Sequence, residues 1–321
     1  MRAIVRRRPV LWLVCFLAWG VPALAVQGGP KFIAVTFDDL PLNDAGVPAS
    51  RMRDITERLL ATITEAAMPV VGFVNERKLD VIGERLERIA VLAMWLEAGL
   101  ELGNHTFSHP SLHHTPLVDV QKDVILGERV TNRLLAARGR GRMRFFRHPF
   151  LRTGLILEIK ESFERFLAQR RYTIAPVTIE NWDWMFNAVY TAAIADDDLV
   201  VQARVAWEYL RFTEAMFDFH ERVSMQLFER QIRHVLLLHA NELNAEQMPE
   251  VVRLMERRGY EFVSLERALE DSVYELPDRY AGPAGVAWLF RWDYSADRVI
   301  DWSAEPAPPA YIQRMYEALS N

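Results

Sequence analysis

Lys31-Phe32-Ile33-Ala34-Val35-Thr36-Phe37-Asp38-Asp39-Leu40-Pro41 is a short apolar run that ends on two adjacent acids and a proline. The stretch 32–37 suits a buried strand, and the acids stand where the chain leaves the sheet. Runs of the same kind recur at 70–74, 101–104, 143–147, 172–177, 234–239 and 260–264. Between them, helical spacing marks 51–66, 79–98, 118–137, 154–170, 198–233 and 245–258. Such alternation predicts parallel strands covered by helices. Seven strands with six or seven helices fit an α/β fold that closes, or nearly closes, into a barrel, with an open doubly wound sheet as the other arrangement. No Gly-x-Gly-x-x-Gly or phosphate-loop pattern is present.

Outside this alternation the chain carries three further features. Its start reads Arg6-Arg7-Arg8, an apolar stretch over 10–19 and Ala23-Leu24-Ala25, the pattern of a secretory signal peptide at 1–25. Cleavage there removes four arginines, no acid, and the chain's one cysteine, Cys15, so the formal charge moves from −5 to −9. An acidic, thiol-free exported protein, periplasmic or secreted, suits neither nucleic acid nor an anionic membrane face, and the chain keeps no membrane span after cleavage. Without other cysteines, any metal must be held by His, Asp or Glu. The second feature is the absence of Gly and Pro between Pro176 and Pro249, which points to a helical insertion at about 190–233, one long helix or a broken pair, on the barrel of 26–271. The third is a C-terminal extension, 272–321, rich in aromatics such as Trp288, Trp292 and Trp302; these either pack it on the barrel or form a stacking surface for sugar rings.

In parallel α/β folds the working site lies at the C-terminal ends of the strands. Here those ends carry Asp38-Asp39, then His105 with His109, then Arg147, then Trp182-Asp183-Trp184 after the fifth strand, and finally His239. Singly, each has an ordinary explanation: a loop cap, a coincidental pair, a satisfied core histidine. Together, two histidines spaced by four and one aspartate make a two-His, one-carboxylate set with open positions, the arrangement that metal-assisted hydrolysis requires.

Thr36-Phe37-Asp38-Asp39, His105-Thr106-Phe107-Ser108-His109-Pro110, Arg147-His148-Pro149-Phe150, Trp182-Asp183-Trp184 and Leu236-Leu237-Leu238-His239 resemble, in order, the five motifs of the polysaccharide deacetylases, the NodB-homology family known as carbohydrate esterase family 4. The resemblance spans roughly 31–265. It implies a distorted (β/α) barrel and a hydrolase that removes N-linked acetyl groups from a chitin-like glycan, peptidoglycan or exopolysaccharide. By the same resemblance Asp39, His105 and His109 would hold a divalent metal, zinc before cobalt or nickel. Asp38 would be the general base, oriented by Arg147, and His239 the general acid, held by Asp183. A backbone N–H near Phe150 would meet the oxyanion.

Trp182 and Trp184 suit either an apolar wall for substrate or core packing. His113 and His114 read as solvent-facing, His148 as the variable position of its motif at a place from which a rim contact is open to it, and His220 and His234 as surface or packing residues. His239 is followed by Ala240-Asn241 where family members often carry an acid. Two other functions fit the same residues: an O-acetyl esterase on a polysaccharide such as xylan, and an inactive sugar-binding protein on the same scaffold.

Overall fold

The structure, a computed structural model, describes residues 29–297 and 299–319; the expected signal peptide and Cys15 lie outside them. Seven strands are present: β1 (Lys31–Leu40), β2 (Val71–Val74), β3 (Glu101–Asn104), β4 (Phe145–Phe146), β5 (Thr173–Ile174), β6 (His234–His239) and β7 (Tyr260–Phe262). Every pairing among them is parallel, in the order β5-β4-β3-β2-β1-β6, and β7 pairs with the first residues of β1. The chain after β5 returns to β6, where the Thr178 and Ile179 N–H groups donate to the Val235 carbonyl at 2.9 and 3.1 Å, and the Leu237 N–H to Ile179 at 3.0 Å. The sheet therefore curls into a distorted barrel whose last contact is an irregular segment rather than a strand.

Strand periodicity sorts the side chains. Ala34, Val71, Phe73, Phe145, Ala175 and Val235 meet inside the barrel. Ile33, Val35, Phe37, Leu102, Phe146, Leu236 and Leu238 pack outward against the helices. Continuing the inner set by twos places Thr36 and Asp38 on β1, Arg147 just beyond β4 and His239 on β6 toward the barrel mouth. Asp38 and His239 are register partners.

The helices are α1 (Ala49–Glu65), α2 (Arg85–Glu97), α3 (Leu117–Leu126), α4 (Arg129–Ala136), α5 (Leu157–Gln169), α6 (Asp183–Ala195), α7 (Leu199–Phe228), α8 (Glu242–Arg257), α9 (Leu265–Leu269), α10 (Trp288–Ser295) and α11 (Ala310–Leu319). The helix expected over 118–137 is two, α3 and α4, divided at Gly127. The segment before β6 is the pair α6 and α7, joined by a turn at Asp196-Asp197-Asp198; the Asp198 carboxylate caps α7 by accepting from the Val200 and Val201 N–H groups. Among the described residues no helix is long and apolar enough to cross a membrane.

The extension packs on the barrel: Trp288, Leu289 and Trp292 share a buried cluster with Leu151, Val177, Phe219 and Leu237. His220 and His234 are fully buried packing residues, bonded through Nδ1 to the Met216 carbonyl and Thr178 Oγ1. Burial pushes their pKa values down to about 4 and about 3. A histidine depressed in the folded state supports stability fully above its unfolded value near 6.5 and loses that support as the pH falls. The melting temperature is therefore expected to drop between pH 6.5 and 4, and less steeply in His234→Gln, as calorimetric scans across that range would read.

Candidate active site

Asp38 and Asp39 are adjacent, yet they serve different neighbours because the backbone turns between them. The β1–β2 register shifts between Phe37 and Leu40, and Asp39 has φ of 70°. Such a backbone position is costly for a non-glycine residue, of order 1–3 kcal/mol. Of the eleven non-glycine residues with positive φ among the described ones, six line this end of the barrel: Asp39, Thr106, His109, Phe150, Leu151 and Trp182. Strain is concentrated where side chains must be aimed.

His105 and His109 meet through a loop, not the single helical turn that their spacing suggests. Thr106 and His109 both adopt positive φ, and Thr106 Oγ1 accepts from the His109 N–H at 3.0 Å. The Asp123 carboxylate of α3 fastens the loop by accepting from the Phe107 and Ser108 N–H groups and from Ser108 Oγ, at 2.8, 2.8 and 2.7 Å. Gly127 lets α3 approach: a Cβ there would lie 2.6 Å from the Thr106 backbone. His105 Nδ1 lies 2.8 Å from the Arg147 carbonyl. A carbonyl only accepts, so Nδ1 carries the hydrogen and Nε2 presents a lone pair.

Three donor atoms converge. His105 Nε2 and His109 Nε2 are 3.2 Å apart, and Asp39 Oδ1 lies 3.7 and 3.6 Å from them. A tetrahedral ion with ligands at about 2.0–2.1 Å holds its ligand atoms about 3.4 Å apart, so the set fits one ion. Asp39 Oδ1 is buried with no hydrogen-bond partner. Oδ2, by contrast, accepts from Asn43 Nδ2 at 2.8 Å and faces Lys78 Nζ at 3.3 Å. Burial acts against the Asp39 charge, but Lys78 and the two histidines outweigh it and hold the carboxyl well below its usual range. Burial lowers the pKa of both His105 and His109, which favours the neutral imidazole that a metal requires. Among the described residues this is the one His/Asp/Glu group grouped tightly enough for an ion. Asn43, invisible to motif reading, orients Asp39; Asn43→Ala is expected to weaken the affinity for an added divalent ion about tenfold, as isothermal titration would measure.

Asp38 lies beside this set, with Oδ2 3.7 Å from His105 Nε2 and Oδ1 3.5 Å from Arg147 Nη1. Arg147 is fully buried; its Nη2 donates to Thr36 Oγ1 at 2.9 Å and its guanidinium lies over the Phe73 ring. Burial raises the Asp38 pKa to about 6 against the pull of Arg147. Across the mouth, His239 Nδ1 donates to Asp183 Oδ1 at 2.7 Å. Asp183 also accepts from the His239 and Trp184 N–H groups and from Asn241 and Asn244 Nδ2. Asn241, in place of the acid expected there, thus caps α8 and serves Asp183 at once. Burial alone would lower the His239 pKa; Asp183 reverses this and raises it to about 9. The insertion reaches the same network through Tyr209, whose hydroxyl donates to Asn244 Oδ1 and accepts from Asn181 Nδ2.

These groups face one cavity of about 780 Å³, lined by Asp38, Asp39, His105, His109 and His239, with Phe150, Glu180, Trp182, Trp184, Gly285 and Tyr316 around them. Burial raises the Glu180 pKa to about 7, with Glu305 of the extension adding to the shift. The Phe150 ring is 52% exposed and stands 4.3 Å from His109. Trp182 and Trp184 stack at 5.8 Å, and Tyr316 meets Trp184 edge-on at 5.3 Å. His148 does not reach the rim: it is buried between Phe146 and Phe163 because it points to the outer, helix-covered side of the strand end. His113 is not solvent-facing either. It is buried between Gly154 and Pro283, while His114 is exposed.

A family model described as polysaccharide deacetylase matches residues 25–158. No curated protein sequence matches the chain significantly. Among solved structures, the T48 deacetylase with substrate superposes with a TM-score of 0.50 at 18% identity, over 75% of this chain and 92% of its own. That likeness gives the fold. A family 4 carbohydrate esterase from Streptomyces lividans in complex with acetate aligns at 15% identity and TM-score 0.47, over 74% and 95% of the two chains. A family 4 pseudoenzyme from Bacillus anthracis aligns at 14% and 0.49, over 75% and 66%.

Proposed function

We propose that this chain, whose residues 25–158 match the family model described as polysaccharide deacetylase, is a member of that family and a metal-dependent hydrolase that removes N-linked acetyl groups from a glycan outside the cytoplasm. The observation that carries this reading is the convergence of Asp39 Oδ1, His105 Nε2 and His109 Nε2 at 3.2–3.7 Å, with the Asp39 oxygen otherwise unpartnered, beside two further acid–base groups. Nitrogen and carboxylate donors in this number suit zinc, with cobalt or nickel as substitutes. Such an ion, when bound, supplies Lewis acidity to an acyl oxygen and acidifies water at the site.

The chain's own groups do the rest. Asp38, steered by Arg147, takes the proton of the attacking water. A backbone N–H of the Phe150 turn, which lines the cavity, would meet the oxygen that gains charge as the acetyl carbon becomes tetrahedral. His239, kept protonated at neutral pH by Asp183, gives its proton to the leaving nitrogen, which departs poorly as an amide anion. Trp184, braced by Trp182 and Tyr316, offers an apolar wall to a sugar face or an acetyl methyl.

An acid with a pKa raised to about 9 matters more for an amine leaving group than for an alcohol, which supports N- over O-deacetylation. The complete set of Asp38, Asp39, His105, His109 and His239 supports an enzyme over a sugar-binding relic. The test is acetate release by chain produced without residues 1–25, with zinc or cobalt, across chitooligosaccharides, peptidoglycan fragments and acetylated xylan. New free amines in step with acetate are expected, and chelation should stop both. Acetate without amines would install the esterase reading; sugar binding without acetate under any metal would install the binding protein.

A further inference from the structure

Phe150 and Leu151 are consecutive non-glycine residues at φ of 57° and 52°. Neither would stay there unaided, because each position costs of order 1–3 kcal/mol. The turn's own bonds, Leu151 N–H to His148 and Arg152 N–H to Pro149, are only two, both at 3.1 Å. What holds it comes from about 140 residues later in the chain.

Arg291, on α10 of the extension, is fully buried. Its Nη2 donates to the Leu151 carbonyl at 2.6 Å and its Nη1 to Thr153 Oγ1 at 2.8 Å, while Nε donates to the Val286 carbonyl at 2.9 Å. Asp278 Oδ2 lies 3.3 Å from Nη1, and the guanidinium carbon stands 4.4 Å from the Trp288 ring centroid and 5.1 Å from that of Tyr280. A planar fork of donors held by three acceptors and two aromatic rings fixes direction in a way that an ammonium cannot. Two further contacts press on the same turn. Gly285 lies so close that a Cβ on it would fall 1.7 Å from the Phe150 carbonyl oxygen. His113 Nε2 accepts from the Gly154 N–H while Nδ1 donates to the Pro283 carbonyl, each at 3.3 Å, tying the histidine loop, the turn and the extension together.

We propose that the C-terminal extension is a working part of the active site, with Arg291 as the positioning residue that holds the Phe150 turn, and with it the oxyanion donor, against the metal-ligand loop. The inference rests on the deacetylase reading for the donor's role. It explains why a surface extension carries a buried arginine whose contacts converge on one strained turn.

The test compares the wild-type chain with Arg291→Lys and Gly285→Ala. Readouts are kcat per metal-loaded site, KM, zinc affinity by calorimetry, and amide hydrogen exchange of residues 148–154. Loss of an oxyanion donor costs 10²–10³-fold in kcat, so partial displacement is expected to lower kcat at least tenfold in both variants. KM and zinc affinity should stay within threefold, and exchange in the turn should quicken at least tenfold. Unchanged exchange with kcat within threefold overturns the proposal, as does a loss of kcat matched by a loss of zinc. If Arg291→Lys fails to fold, Gly285→Ala decides by the same measures. Absence of acetate release by the wild type overturns the deacetylase reading and this inference together; normal wild-type turnover with unaffected variants overturns this inference alone.

Discussion

Asp38→Asn is expected to lower acetate release about 10³-fold while leaving zinc bound. The loss corresponds to about 4 kcal/mol of transition-state stabilisation. Asparagine keeps the shape of the side chain and an acceptor for Arg147 Nη1, which lies 3.5 Å from Oδ1, but it cannot take a proton. The three converging donor atoms belong to other residues, so calorimetry should find zinc affinity close to that of the wild type. His105→Ala is the contrasting variant: it removes a ligand atom and should lose metal and activity together. Activity above one tenth of wild type in zinc-loaded Asp38→Asn would take the base assignment away from Asp38 and leave it to a water or to Glu180.

The barrel and its strand-end residues were legible because they obey local rules. β1 and β6 are runs of apolar, often β-branched residues whose alternation survives in the fold, so Asp38 and His239 arrive at one mouth in register. The insertion was legible as helical from Asp198 onward, as one long helix or a broken pair, and α7 is the unbroken helix; what the sequence did not announce is α6, beginning at Asp183. That helix follows Trp182 in a left-handed conformation, lacks a side-chain cap, and is buried by α7, α8 and α11 on different sides, so it shows no single apolar stripe. His113 and His148 were misplaced for another reason. His113 is buried by a tail 170 residues away, and His148 by Phe163 on α5. Asn43, Asn244, Tyr209 and Arg291 gave no motif signal at all, since each works only through a partner distant in sequence or across a loop.

The second large effect concerns Asp183 and His239. The His239 pKa is raised to about 9, so the protonated imidazole prevails below that value and is lost as the pH rises through it. Asp183→Asn removes the strongest of the carboxylates that oppose burial, Asp39 and Asp38 being the others, so His239 should then titrate well below 9. The basic limb of the pH–rate profile is expected to move down from about 9 toward neutrality. Near pH 8 amide hydrolysis should fall at least 10²-fold, while an acetate ester with a good alcohol leaving group should lose less than tenfold, because it departs without a proton. His239→Ala should reproduce the amide loss and abolish the limb. Because Asp183 also collects the Asn241 and Asn244 side chains, melting temperature and zinc affinity must be followed in the same variants. A limb that stays near pH 9 in Asp183→Asn, or equal losses on amide and ester in His239→Ala, would reduce the pair to a structural link between β6 and α6. Movement of the limb with selective loss on the amide would identify the proton donor and, with it, nitrogen as the leaving atom.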